Sequence, residues 1–246
     1  MDLVDIPARG EGEIRLVHSS DVHVDDDRIA ALHGGDGTGG LRSVLAAAAR
    51  FDADFVILAG DTFDNHMVKA ATVERAGHAI AGCGLPVVLL PGNHDPITKD
   101  SVWVRGGFAG IGNLRIFGIT DDSIIAFPDR DLAFWGNAHH DYLDMVPLKN
   151  PPPRAARWHI AVGHGHYEPP ETWHNPLRPS WLISDAMIAA TGADYLALGH
   201  WDRPVQVGDG TLPAYYSGSP DWAKTVNLIR LTPNGDVAVT REPVVL

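Results

Sequence analysis

Apolar, largely β-branched runs recur along the first half of the chain at 14 to 19, 54 to 60 and 86 to 92, each closing on a polar or glycine-containing turn. Stretches with helical spacing lie between them, at 41 to 51 and 73 to 82. Unbroken apolar runs predict strands buried on both faces, and their alternation with helices predicts β-α-β units with parallel pairing. After the run at 113 to 119 the rhythm changes to closely spaced strands at 124 to 127 and 132 to 136, joined by the turn PDRD, so a mixed or antiparallel sheet is expected there. The strand-then-polar-turn pattern returns at 159 to 166 and 194 to 202, with a helix expected over 180 to 191 between them. The closing segments predict three or four antiparallel strands joined by Gly, Pro and Asn turns.

Residues 147 to 157, PLKNPPPRAAR, cannot continue a helix or a central strand and read as a surface loop. The run from Gly34 to Gly40 lacks the lysine of a phosphate-binding loop and reads as a flexible loop.

Composition narrows the classes. At 246 residues with 45% hydrophobic and 20% charged side chains, the chain is expected to fold as one domain spanning 1–246. The acidic opening does not resemble a signal peptide and no apolar run approaches a membrane span, so a cytoplasmic location and no membrane partner are expected. Cys83 is the single cysteine, which excludes an internal disulfide and a Cys-rich metal site. A net charge of −12, concentrated in residues 1 to 150, repels polyanions, so nucleic acid is expected to bind weakly.

Five polar clusters fall at or just after predicted strand ends: Asp21-Val22-His23, Gly60-Asp61-Thr62-Phe63-Asp64, Gly92-Asn93-His94-Asp95, Gly163-His164-Gly165-His166 and Gly199-His200-Trp201-Asp202. Open α/β sheets place ligands beyond the carboxyl ends of their strands. Carboxylate, imidazole and amide oxygen together suit Mn, Fe or Zn, and a set this large exceeds the needs of one ion. A carboxylate shared by two cations can clamp a phosphoryl oxygen while a bridging water becomes a hydroxide nucleophile. Within the fourth cluster His164 directly follows the apolar strand and His166 does not, which favours His164 as the ligand.

In this order and spacing, DVH, GDTFD, GNHD, GHGH and GHWD resemble the calcineurin-like metallophosphoesterases from Ile14 to Leu246. LAGDTFD, LPGNHD, ADYLALGHWD and YYSGSP are most similar to SbcD and Mre-type repair nucleases and their shorter relatives. The resemblance implies a four-layer α/β/β/α sandwich, two mixed sheets flanked by helices. It implies that Asp21, His23, Asp61 and Asp202 hold one divalent metal, with Asp61 bridging, and that Asn93, His164 and His200 complete the other. His94 is similar to the residue that contacts phosphate and assists the leaving group, with Asp95 orienting its imidazole. Asp202 stands where the family usually has His, and a third carboxylate is expected to favour Mn or Fe, with Zn possible. The chain ends about where the catalytic domain of the repair nucleases ends, so no separate capping domain is expected. The substrate is expected to be a phosphate ester, a small phosphodiester ahead of DNA or RNA, and a metal-free binding scaffold is the reading from a different class. Trp201, between two expected ligands, is placed near the metals. Trp158, Trp173, Trp181 and Trp222 are expected in the core, and His139 and His140 at the surface.

Overall fold

Strands form where apolar residues run without interruption because both faces of both sheets are covered. The computed structural model describes residues 8–169 and 180–245, so Trp173 lies outside the described residues. In chain order the elements are β1 (Ile14–Ser19), α1 (Asp27–Leu32), α2 (Gly39–Arg50), β2 (Phe55–Ala59), α3 (Ala70–Gly82), β3 (Val87–Leu90), α4 (Val102–Arg105), β4 (Leu114–Ile116), β5 (Ile124–Phe127), β6 (Leu132–Gly136) and β7 (Trp158–His164). They continue with β8 (His166–Tyr167), β9 (Leu182–Ile183), α5 (Asp185–Ala190), β10 (Tyr195–Gly199), β11 (Val205–Val207), β12 (Ala214–Tyr216), α6 (Pro220–Ala223), β13 (Thr225–Leu231) and β14 (Val237–Pro243).

One sheet has the order β14-β13-β1-β2-β3-β4, with β1 to β4 parallel and β13 antiparallel to β1. The other has the order β11-β12-β10-β7-β6-β5, in which β6, β7, β10 and β12 are parallel and β5 and β11 antiparallel to their neighbours. The period of two along β1 sends Leu16 into the space between the sheets, against Phe134, Ile160 and Ala197 of the second. Val17 faces the other way, toward Leu41 and Val44 of α2 and Ile80 of α3. On the far side of the second sheet, Ala161 and Leu196 pack with Ile188 of α5. The layers are therefore helix, sheet, sheet, helix. Each fully buried Leu, Ile or Phe contributes about 1.5–3 kcal/mol relative to exposure.

Three local expectations change. The helix expected over 180 to 191 begins only at Asp185: Leu182 and Ile183 pair with His166 and Tyr167, and Ser184 caps the helix by accepting from Met187 N at 3.3 Å. Gly39 and Gly40 are not loop but the first turn of α2, and close neighbours keep them glycine: a Cβ would lie 2.0 Å from the His33 ring at Gly39 and 2.2 Å from the Asp221 carboxylate at Gly40. The terminal strands are not all antiparallel, since β12 runs alongside β10 in the same direction. The Pro-rich stretch is a loop, joining β6 to its parallel neighbour β7. Among the described residues no helix is long and apolar enough to cross a membrane.

Because β1, β2 and β3 are parallel in one sheet and β7 and β10 in the other, their carboxyl ends gather at one edge of the sandwich. All five polar clusters lie there.

Candidate metal centre

The turn after β1 runs beside the turn after β2: Asp21 N donates to Gly60 O at 3.1 Å and His23 N to Asp61 O at 3.1 Å. Asp21, His23, Asp61 and His200 all take positive φ, of 51°, 48°, 50° and 106°. Non-glycine residues pay for that conformation, and it persists where surrounding contacts over-determine it. Close approach of the backbones requires glycine at two of these turns. A Cβ on Gly60 would lie 2.0 Å from His164 Nδ1, and one on Gly199 would lie 1.9 Å from Ala59 O.

Ligand atoms of Asp21, His23 and Asp61 lie within 4.8 Å of one another, and so do those of Asp61, His164 and His200. Asp61 is common to these two groups, and a third, His23, Asp64 and His94, shares His23 with the first. His164 Nδ1 donates to Ala59 O at 2.9 Å, which turns Nε2 toward Asp61 Oδ2 and Asn93 Oδ1, each at 3.0 Å. His200 Nδ1 lies 3.0 Å from the same Asn93 oxygen, and His200 N donates to both Asp21 oxygens at 3.1 and 3.0 Å. Asp61 Oδ1 accepts from His94 N at 2.8 Å.

Burial opposes charge on His164, but contact with the Asp61 carboxylate and the nearby charge of Asp21 outweigh it and push the ring up to about 9. Burial likewise opposes charge on Asp61, yet His164, His94 and His23 hold its carboxyl well below the usual range. Burial raises Asp21 above that range. His200 moves the opposite way, down to about 4, through burial and the positive neighbour His164, so its ring is neutral near pH 7 with a lone pair to offer. Two carboxylates, one of them shared, three imidazoles and an amide oxygen fit divalent cations, and His23 Nδ1 makes no hydrogen bond among the described residues, its nearest acid being Asp64 Oδ1 at 3.3 Å.

Asp202 does not join them. It is exposed and belongs to no donor group among the described residues. Its carbonyl accepts from Ser219 N at 3.3 Å, and a Cβ on Gly218 would lie 2.6 Å from that carbonyl oxygen, so the turn's backbone is closely packed.

Asp95 also has a different role from the one expected. Its two carboxylate oxygens accept from Gly92 N at 2.7 Å and Phe63 N at 2.9 Å, and burial together with the charge of Asp61 raises it to about 7. The His94 ring is held by Asp64 instead: Nδ1 donates to the Asp64 carbonyl at 2.9 Å, and His23 Nδ1 lies 3.3 Å from Asp64 Oδ1. A carbonyl only accepts, so Nδ1 carries the proton and Nε2 is the free nitrogen of a ring whose side chain is 45% exposed.

His139, expected at the surface, is fully buried; Nε2 bonds to the His164 carbonyl at 3.0 Å, and burial lowers the ring to about 4. His140 is exposed. His166 accepts from Trp201 Nε1 at 3.1 Å, and Trp201 stacks on Tyr216 with centroids 4.4 Å apart. Trp158 is in the core, whereas Trp222 is 55% exposed. Trp181 is half-buried beside the centre, its ring 5.7 Å from His200 and 5.5 Å from His139. An open cleft of ≈ 880 Å³ includes Ala138 and His140 in its lining but none of the donors.

Residues 14–204 match the sequence pattern of the calcineurin-like phosphoesterases, and the chain belongs to that family. The family generally acts on phosphoesters with divalent metals. The chain is 26% identical over 208 residues to the uncharacterized metallophosphoesterase YhaO of Bacillus subtilis strain 168, covering 76% of this chain and 48% of that protein. It thus spans about half the length of that curated relative. The crystal structure of TT1561 of Thermus thermophilus superposes with a TM-score of 0.57 at 11% identity, over 93% of this chain and 98% of that one. A further solved chain reaches a TM-score of 0.59 at 11% identity, over 94% and 99%. At such identity these two speak for the fold.

Proposed function

We propose that the chain hydrolyses phosphate esters, small diesters foremost, at a centre of two divalent cations held through Asp61. The observation that carries this reading is the buried carboxylate of Asp61, common to the donor group of Asp21 and His23 and to that of His164 and His200. Asp21 and His23 serve one position; His164, His200 and the Asn93 amide oxygen serve the other. When bound, such cations would neutralise phosphoryl oxygens and make water a stronger nucleophile by lowering its pKa. With Asp202 apart, the oxygen-rich argument for Mn or Fe over Zn falls away, and the donors suit all three.

The chain's own residues do the rest. His94, partly in solvent and with Nδ1 fixed on the Asp64 carbonyl, presents Nε2 to the ester and, when protonated, gives that proton to the departing alkoxide. Asp95 holds the GNHD turn by its two backbone bonds, which sets where His94 stands. The net charge of −12 supports a small substrate over a nucleic acid strand.

Similarity to the repair-nuclease motifs supports a second reading, a nuclease. The two separate by metal content, hydrolysis of bis-p-nitrophenyl phosphate and duplex DNA binding. Two metals, turnover and weak, salt-sensitive binding support the small-diester reading. Submicromolar duplex affinity at physiological salt supports the nuclease, and a chain that binds no metal and turns over nothing is a scaffold.

A further inference from the structure

Large apolar side chains are exposed in two loops beside the centre: Met67 at 89%, Tyr142 at 59% and Leu143 at 70%. Contiguous exposed apolar surface on a soluble protein marks a binding site more often than scattered single residues do. Tyr142 and Leu143 sit on a line of contacts that reaches the centre. Two residues beyond Asp64, which holds His94, the His66 ring meets Tyr142 with centroids 6.0 Å apart. The backbone carbonyl of the next residue, Leu143, accepts from Trp181 Nε1 at 3.0 Å, and the Trp181 ring lies 5.7 Å from that of His200. The loop is therefore joined at Tyr142 to the segment that follows Asp64 and, through Trp181, to a donor of the metal centre.

The loop that displays Tyr142 and Leu143 is held. Leu143 N donates to Asp141 Oδ1 at 2.8 Å, Trp181 N donates to Asp144 Oδ1 at 2.6 Å, and Asn137 Nδ2 reaches Pro147 O and Lys149 O at 3.1 and 2.8 Å. A shelf fixed in this way loses little conformational entropy when something rests on it. Asp141 and Asp144 beside it disfavour a second phosphate, so an uncharged group suits it and a polyanionic strand does not.

We propose that Tyr142 and Leu143, backed by Trp181, form a subsite for an uncharged aromatic or apolar group of the ester on the side of His94. This rests on the phosphoesterase reading and narrows its substrate class to esters of apolar or planar alcohols. Removing the ring and the isobutyl group takes away binding to that part of the substrate and leaves the phosphate's own contacts intact.

The test compares three probes on the metal-loaded chain by calorimetric titration: inorganic phosphate, methylphosphonate and phenylphosphonate. Wild type is expected to prefer phenylphosphonate to methylphosphonate by about tenfold, the effect of removing one ring edge from water. In the double variant Tyr142→Ala, Leu143→Ala the preference is expected to fall below about twofold, with phosphate affinity unchanged. Both side chains are exposed, so the variant is expected to fold. Phosphate binding without a phenyl preference, or a preference that survives the double variant, overturns the subsite alone. No binding of phosphate at all overturns the phosphoesterase reading and the subsite with it. A wild-type dimer that the double variant dissolves would assign the shelf to a second copy of the chain and overturn the proposal.

Discussion

The hydroxyls of Ser20 and Ser217, 197 positions apart in the chain, lie 3.0 Å from each other, and Ser20 Oγ donates to Asp21 Oδ2 at 2.5 Å. Both serines and the aspartate are buried, at 0% and 2% exposure. Ser217 thus belongs to the support of a metal donor, although nothing in YYSGSP shows it. Partners of this kind orient the ligand and tune its affinity. Ser217→Ala is expected to weaken the first metal by about tenfold, with thermal stability little changed, and Ser217→Thr to restore most of it. A metal titration that is unchanged in Ser217→Ala would show that Ser20 orients Asp21 alone.

His94 is expected to act on the leaving group and not on metal. His94→Ala should keep the wild-type metal stoichiometry while turnover of an alkyl diester falls about 100-fold or more, and less for a p-nitrophenyl leaving group that departs without a proton. Stoichiometry by elemental analysis beside the two rates checks it. Loss of a metal in this variant would reassign the ring as a ligand.

Asp202 is expected to be dispensable. Since the residue is exposed and outside the donor groups of the described residues, Asp202→Ala should leave metal content and turnover within about twofold, the usual scale for a surface change. A tenfold fall with loss of one metal would return Asp202 to the ligand set that the family resemblance implies.

The DxH, GDTFD and GNHD clusters were legible because each is a short polar turn after an apolar strand, and parallel strands bring such turns to one edge. What local sequence could not show was which carboxylate in a turn faces outward. Asp95 adjoins His94 in the chain and Asp64 stands 30 residues from it, yet Asp95 faces backbone N–H groups inside and Asp64 meets His94 and His23. His139 carried no signal either; it follows Asn137 and Ala138 in a plain turn, and only the approach of β7 buries it against His164. The strand at Leu182 and Ile183 depends on a distant partner, His166 and Tyr167, whereas the helix that follows was visible in its apolar spacing.

Buried His18 gives a pH-dependent stability. Burial lowers it to about 3, and Nδ1 pairs with the Tyr195 hydroxyl at 2.9 Å. The unfolded ring takes a proton near pH 6.5 and the folded ring does not, so this contribution is whole above 6.5 and is lost as pH falls toward 3. The slope is about 1.4 kcal/mol per pH unit in that window. Urea unfolding at pH 7.5 and 5 should show His18→Gln losing less stability than wild type between the two. Equal losses would mean that His18 is protonated in the folded chain.

The central claim is that two cations share Asp61, and the most direct measurement is metal content with turnover in wild type and Asp61→Asn. Two divalent ions per wild-type chain are expected, with fewer in the variant, near-complete loss of bis-p-nitrophenyl phosphate hydrolysis and a far-ultraviolet spectrum that still reports the fold. A folded Asp61→Asn chain that keeps two ions and hydrolyses within about tenfold of wild type, a loss smaller than removal of a catalytic group brings, would contradict it.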